Sequence, residues 1–108
     1  MDIPVAIDLP ALRASSAAAS ALLKAMANPD RLLLLCQLSQ GELCVGDLEA
    51  QLGIRQPTLS QQLGVLREEG LVQTRRDGKQ VHYRIASAAA LAVLQVLYAQ
   101  FCGDGETS

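Results

Sequence analysis

The chain has 108 residues, a formal net charge of −2, one Phe, two Tyr and no Trp. This length fits one domain, and a core without large aromatic residues is thin for a monomer, which favours burial against a second copy. No membrane span is expected, because the Ala-rich stretch 10–27 includes Arg13 and Lys24. Residues 1–9 carry two Asp and no basic group, which argues against an export signal. Three cysteines without such a signal indicate free thiols in a reducing cytoplasm.

The first half of the chain predicts three helices after a flexible arm at residues 1–9. Residues 10–27 form the first helix, whose small side chains allow close helix approach. Asn28-Pro29-Asp30 predicts a helix start, with Asn as N-cap, Pro in the first turn and Asp at the favourable end of the dipole. This second helix is expected to run to about Gln40, and the third is expected at 45–52.

A fourth helix is predicted at 57–69. Leu59, Leu63 and Leu66 form one apolar stripe at helical spacing, and Gly70 is a natural stop. The polar side chains off this stripe are short or carry amides, as reading of bases in the major groove requires. The candidate base contacts are Gln56, Thr58, Ser60 and Gln61.

A basic β-hairpin is predicted at 71–85, with Asp77-Gly78 as its two-residue turn. Residues 55–84 contain six Lys or Arg against three Asp or Glu, whereas the rest of the chain has three basic and eight acidic residues. The positive field therefore lies on the fourth helix and the hairpin, where it can follow a phosphate backbone. The candidate backbone contacts are Arg55, Arg67, Arg75, Arg76, Lys79, His82 and Arg84.

Ser87 is expected to cap a final helix at 88–102, which contains no charged residue. A helix that is uncharged all round should be buried. One small domain covers it poorly, so we expect it to pack with the first helix across a two-fold dimer interface, the alternative being burial within the monomer. The predicted fold is mainly α with a small β-hairpin wing: a winged helix-turn-helix domain at 10–102, built from four helices, two strands and a last helix, and a flexible tail at 103–108.

Five segments together resemble the ArsR family of bacterial winged-helix repressors. The resemblance implies a homodimer in the bacterial cytoplasm that represses promoters at a pseudo-palindromic, double-stranded operator and releases DNA when an inducer binds. It implies no enzymatic activity, no catalytic residue and no cofactor. The segments are Asn28-Pro29-Asp30-Arg31-Leu32, Gly41-Glu42-Leu43-Cys44-Val45-Gly46-Asp47-Leu48, Gln56-Pro57-Thr58-Leu59-Ser60-Gln61-Gln62-Leu63, Leu66-Arg67-Glu68-Glu69-Gly70-Leu71-Val72 and Asp77-Gly78.

The inducer must be inferred from the cysteines. Metal-sensing members carry a Cys-Val-Cys before the recognition helix or Asp, His and Glu ligands on the last helix. Here the first motif is Cys44-Val45-Gly46, and residues 88–102 hold none of those ligands, so no metal site is expected. The sequence is more similar to the sulfide- and persulfide-sensing branch, which has one Cys in the second helix and one closing the last. That likeness implies Cys36 and Cys102 as the redox-sensing pair, with reactive sulfur species as inducer.

Cys44 is an extra thiol relative to that branch and is assigned an accessory role. By physical criteria it is the most activated of the three, because a helix N-terminus favours a thiolate. Alternatives therefore remain: an arsenite or soft-metal sensor using Cys44 with another Cys, a dithiol redox enzyme, or a winged helix that contacts only proteins. The enzyme is disfavoured because the chain has no Cys-x-x-Cys and no nucleotide loop.

Overall fold

The computed structural model describes residues 6–102; residues 1–5 of the predicted arm and the predicted tail at 103–108 lie outside it. The predicted winged helix-turn-helix is confirmed, with α3 and α4 as the helix-turn-helix, β2 and β3 as the wing, and α1 and α5 flanking them. No helix in the described part of the chain is long and apolar enough to cross a membrane. The elements are α1 Leu9–Met26, α2 Pro29–Leu38, β1 Leu43–Cys44, α3 Val45–Leu52, α4 Thr58–Glu68, β2 Val72–Asp77, β3 Gln80–Ile85 and α5 Ala88–Phe101.

The sheet has a third strand that the sequence did not predict. Strand β1 pairs antiparallel with β3, and the strand order is β1-β3-β2. Two residues are too few to display alternation, so β1 could not be recognised from its pattern. The hairpin turn also lies one residue further along than predicted. Asp77 pairs with Gln80, which leaves Gly78 and Lys79 as the loop, and Gly78 has a φ of 64° that suits glycine.

The predicted start of α2 is confirmed, but its predicted end was wrong. Asn28 Oδ1 accepts a hydrogen bond from the Arg31 N–H at 3.0 Å. The helix ends at Leu38 rather than near Gln40, because the backbone bonds that follow tighten from i→i−4 to i→i−3. The Ser39 N–H still bonds to the Leu35 carbonyl at 2.9 Å, whereas the Gln40 N–H donates to the Gln37 carbonyl and the Gly41 N–H to the Leu38 carbonyl, both at 3.1 Å.

The predicted stop of α4 at Gly70 is confirmed. Gly70 has a φ of 77°, and its N–H donates to the Arg67 carbonyl at 3.0 Å. The next N–H, that of Leu71, donates to the Leu66 carbonyl at 2.9 Å. These two bonds form a Schellman motif, which satisfies the last carbonyls of the helix. The chain enters β2 one residue later, so α4 and the wing share a short, hydrogen-bonded junction.

The core is made of leucines from the three central helices. The fully buried large side chains are Leu34, Leu35, Leu48, Leu59, Leu63 and Leu66. The last three are the predicted stripe of α4, and they turn its opposite face to solvent. Ala90 and Leu94 add the inner side of α5 to this core.

The outer helices are mostly uncovered within one protomer. From Leu9 to Ala21 every residue of α1 is exposed, and only Ala25 and Met26 are buried. On α5, Val96, Tyr98 and Phe101 are 60%, 61% and 82% exposed. The monomer therefore buries only the inner side of the uncharged last helix, and the alternative of full burial within the monomer is wrong.

Candidate DNA interface and thiol site

The outer face of α4 presents polar side chains in a row. Ser60, Gln61 and Gly64 are exposed, and they line a shallow groove together with Arg67. Thr58 is half-buried at the first turn. The packing of the leucine stripe fixes this outward orientation, so the groove presents hydroxyl and amide groups of the kind that can bond to base edges, beside the acidic Glu68.

Gln56 has a structural role that the sequence did not predict. Helix α4 begins at Thr58, and Pro57 is its N-cap rather than part of its first turn as predicted. Pro57 has no polar side chain with which to cap the helix. The Gln56 Oε1 atom accepts from the Ser60 N–H at 3.1 Å instead, which satisfies one free donor of the first turn. The base contact predicted for Gln56 remains a prediction.

Two wing cations are free to meet a phosphate backbone. Arg76 lies near the end of β2 and Lys79 lies in the turn, and both are exposed. Within residues 6–102 neither forms a salt bridge. Arg55 before α4 and Arg67 near its end are exposed as well, so positive charge flanks the polar groove.

Arg75, by contrast, is held by the body of the domain. Its Nε donates to both carboxylate oxygens of Glu42, at 2.9 and 3.0 Å, and its Nη2 lies 2.7 Å from Glu42 Oε1. The hydrogen bond from Arg75 lowers the pKa of Glu42. Glu42 lies between α2 and β1, so this bidentate pair ties the middle of β2 to the body of the domain. The structure thus gives Arg75 an intramolecular partner, and its predicted phosphate contact remains a prediction.

Of the remaining wing candidates, Arg84 has a side-chain partner and His82 is partly covered. Arg84 Nη2 donates to Gln73 Oε1 at 2.8 Å across the hairpin. His82 is half-buried and pairs with Cys44 in the β1–β3 ladder. Their predicted backbone contacts would have to form alongside these interactions.

A cavity of about 490 Å³ lies between α2 and α5. Cys36 and Ser39 line it from α2 and its end, and Leu94, Tyr98 and Ala99 line it from α5. Cys36 is half-buried. This volume falls in the range of small-molecule sites, so a low-molecular-weight thiol compound has room to reach Cys36.

Cys102 closes α5 and is exposed. Burial raises the pKa of the Cys36 thiol, and the negative charge of a Cys102 thiolate raises it further. The two thiols lie on helices that are far apart in sequence and that meet at this cavity.

Cys44 lies apart from this pair. It is 9% exposed, and its Sγ lies 3.2 Å from Asp47 Oδ2, within hydrogen-bonding distance. It occupies the N-cap position of α3, as predicted, but its side chain caps no N–H there. Among the described residues no three His, Cys, Asp or Glu side chains are grouped to hold a metal ion.

Comparison with known proteins places these features in context. The model of the family "Bacterial regulatory protein, arsR family" matches residues 28–74. A biofilm growth-associated repressor from Agrobacterium fabrum is 55% identical over 100 residues, which cover 93% of this chain and 86% of that protein. The crystal structure of the transcriptional repressor BigR from Xylella fastidiosa has a TM-score of 0.84 and 48% identity, covering 89% of this chain and 98% of the other. A homodimeric winged helix-turn-helix DNA-binding domain from Mycobacterium bovis has a TM-score of 0.74 and 29% identity, covering 98% and 96%.

Proposed function

Since this chain belongs to the ArsR family of bacterial regulatory proteins, we propose that it represses transcription as a homodimer and leaves its operator when Cys36 and Cys102 become bridged. The observation that supports the switch is the cavity between α2 and α5, which Cys36 lines and which is bounded by the helix that Cys102 closes. DNA binding by α4 and the wing is the property that the switch controls.

On DNA, α4 would enter the major groove with Ser60 and Gln61 at base edges, and Thr58 and Gln56 near its start. The wing would follow the backbone through Arg76 and Lys79, with Arg55 and Arg67 adding charge beside the helix. Such phosphate contacts supply affinity without sequence choice, whereas the helix supplies the choice. Arg75 and Arg84 would contact the DNA backbone less directly, because their side chains already have partners within the domain. His82 would do so because it is half-buried.

The homodimer would form through α1 and α5. The exposed apolar side chains of the protomer are concentrated on these elements: Leu9, Leu12 and Leu23 on α1, and Val96, Tyr98 and Phe101 on α5. Exposed apolar side chains on both flanking helices are typical of an interaction surface. The homodimeric state of the Mycobacterium bovis relative supports a second copy of this chain as the partner.

The inducing reaction would be an oxidation of two thiols by a persulfide, RSSH. In the simplest case the two protein thiols and one RSSH give a protein disulfide, one RSH and one H₂S, so the sulfane sulfur is reduced. Each further RSSH can insert one sulfur atom into the bridge and leaves as RSH. A longer bridge would span a wider gap than a disulfide, whose Cα atoms must lie within about 7 Å.

The exposed Cys102 would react first. Its thiolate attacks the sulfane sulfur of RSSH, RS⁻ leaves, and Cys102 carries a persulfide. The half-buried Cys36 then attacks the inner sulfur of Cys102 as a thiolate and expels HS⁻. Because the pKa of Cys36 is raised, the second step would be the slower one near neutral pH.

Release requires that the bridged form bind DNA more weakly than the dithiol. A hundredfold loss of affinity corresponds to about 2.7 kcal/mol of coupling. The bridge would tie α2, which packs directly on α4, to α5 in the dimer interface. It would therefore change the separation of the two recognition helices, which must match half-sites about one helical turn apart.

The test uses an operator selected from random-sequence DNA, and measures affinity by fluorescence anisotropy before and after exposure to glutathione persulfide. We expect wild type and Cys44→Ser to lose affinity, and Cys36→Ser and Cys102→Ser to bind normally but not respond. Intact mass should reveal the loss of two hydrogens, with one sulfur added for each inserted atom.

A different pattern would contradict the proposal. If Cys44→Ser abolishes the response and Cys36→Ser does not, the bridge does not operate. Release by arsenite or Cd(II), but not by persulfide, would instead identify a soft-metal sensor that uses the Cys44 thiol.

A further inference from the structure

The side chain of Arg31 joins three helices. It extends from the first turn of α2, and its Nε donates to the Ala25 carbonyl at 2.5 Å. Its Nη2 donates to the Lys24 carbonyl at 3.3 Å, and its Nη1 donates to Gln62 Oε1 on α4 at 2.8 Å. One guanidinium group thus links the end of α1 to the middle of the recognition helix.

Each end of this link satisfies a physical requirement. The last carbonyls of a helix have no intrahelical partner, and a cation there interacts favourably with the helix dipole. The planar guanidinium offers several donors in fixed directions, so it can hold α1 and α4 at once, which a Lys ammonium does less well. Gln62 is half-buried, whereas the adjacent Gln61 is exposed. Gln62 therefore faces the link and Gln61 faces the groove.

The link connects α1, on the proposed dimer surface, to α4, on the proposed DNA-binding surface. A dimeric DNA-binding protein must hold these two surfaces in a fixed relative position. Only Ala25 and Met26 of α1 are buried in the protomer, so the position of this helix relative to α4 depends on contacts at its last turn. Arg31 makes two of those contacts and carries the connection on to Gln62.

We propose that Arg31 is a positioning residue that fixes the recognition helix to the end of α1, and so sets the spacing between the two recognition helices of the dimer. This inference rests on the proposed dimerisation through α1 and the proposed docking of α4. It assigns to Gln62 no contact with DNA.

The test severs the link at its α4 end. Gln62→Met removes the acceptor but keeps the length of the side chain and both contacts to α1. We expect about a tenfold loss of affinity for the selected operator, equivalent to about 1.4 kcal/mol. The variant should also lose its preference for that operator over one with a base pair inserted between the half-sites. A merely stabilising role of Gln62 would leave the spacing preference unchanged.

The matched control is Gln51→Met. Gln51 Oε1 accepts from Gln37 Nε2 at 2.6 Å, which is an exposed bond between α2 and α3 to the same type of acceptor, outside the link. We expect this variant to bind within about twofold of wild type and to keep the spacing preference.

A double-mutant cycle with Arg31→Met separates positioning from direct contact. If Gln62 acts through Arg31, Gln62→Met has no further effect in the Arg31→Met background. Additive losses, or an unchanged spacing preference in Gln62→Met, would overturn the proposal. If Arg31→Met does not fold, Arg31→Lys is the second background, because it keeps a cation beside the α1 carbonyls. If the proposed binding of DNA by α4 and the wing is itself wrong, Gln61→Ala and Arg76→Ala will leave DNA binding unchanged, and this separates the two failures.

Discussion

Placing a charge on the outer face of α5 should dissociate the dimer without unfolding the protomer. The position matters, since Leu94 is 3% exposed and belongs to the core, whereas Val96 lies on the opposite side of the helix and is 60% exposed. Burying a whole Val side chain stabilises by about 1.5–3 kcal/mol, so the exposed part of Val96 offers roughly 1–2 kcal/mol per copy. Two-fold symmetry doubles this to about 3 kcal/mol, or about a hundredfold in the dimer dissociation constant.

Val96→Glu should raise the dimer dissociation constant by more than this hundredfold, because the dimer would bury a carboxylate without a partner. Sedimentation equilibrium should therefore show monomers at concentrations where wild type is dimeric, and the helical circular dichroism should remain. Gln95→Glu is the matched control, since it places the same charge one residue earlier, at the cavity facing α2. A Val96→Glu protein that stays dimeric, or a Gln95→Glu protein that dissociates equally, would refute the assignment of this face.

Three further outcomes are expected. Arg76→Ala should weaken binding to all DNA sequences, and the slope of log affinity against log salt concentration should fall by about one unit. Arg75→Ala, which loses the pair with Glu42, should change this slope less in the same salt titration. Gln61→Ala should relax sequence choice by about 1–3 kcal/mol, measured as the ratio of affinities for the operator and for a single-base variant. In a Cys44→Ser protein, the rate at which iodoacetamide alkylates Cys36 should rise about tenfold for each pH unit between about pH 7 and 8.5, without reaching a plateau. The reason is that the raised pKa of Cys36 keeps the fraction of thiolate small. At a given pH, adding Cys102→Ser should speed the alkylation of Cys36, because it removes the Cys102 charge that helps to raise the pKa of Cys36. A rate that reaches a plateau below about pH 8 would contradict the raised pKa.

The fold was predictable because strong local signals agreed with one another. The Asn28 cap, the leucine spacing of α4 and Gly70 each act within a few residues. Their outcome does not depend on the rest of the chain. The wing followed from its two-residue turn signal, although the turn was misplaced by one residue because Asp77 is the last paired residue of β2 rather than part of the loop.

The parts that escaped prediction depend on contacts distant in sequence. Glu42 and Arg75 are 33 residues apart, and Arg31 and Gln62 are 31 apart. No periodicity encodes such pairs. The candidate thiols were named from a family likeness, and the cavity beside Cys36 arises only when α5 packs on α2. Cys44 illustrates the limit most clearly, since the N-terminal position suggested an activated thiol while the fold buries it.

The uncovered α1 has a consequence for the stability of the protein as well as for its assembly. If the partner supplies most of the packing of this helix, folding and association are linked by mass action, and the thermal midpoint should rise with protein concentration. Newly made protein at low abundance would then melt more easily than the same protein at high abundance. The dimer is the form that binds two half-sites, and it is also the form in which α1 is stable. Repression should therefore begin over the same range of protein concentration in which α1 becomes stably folded.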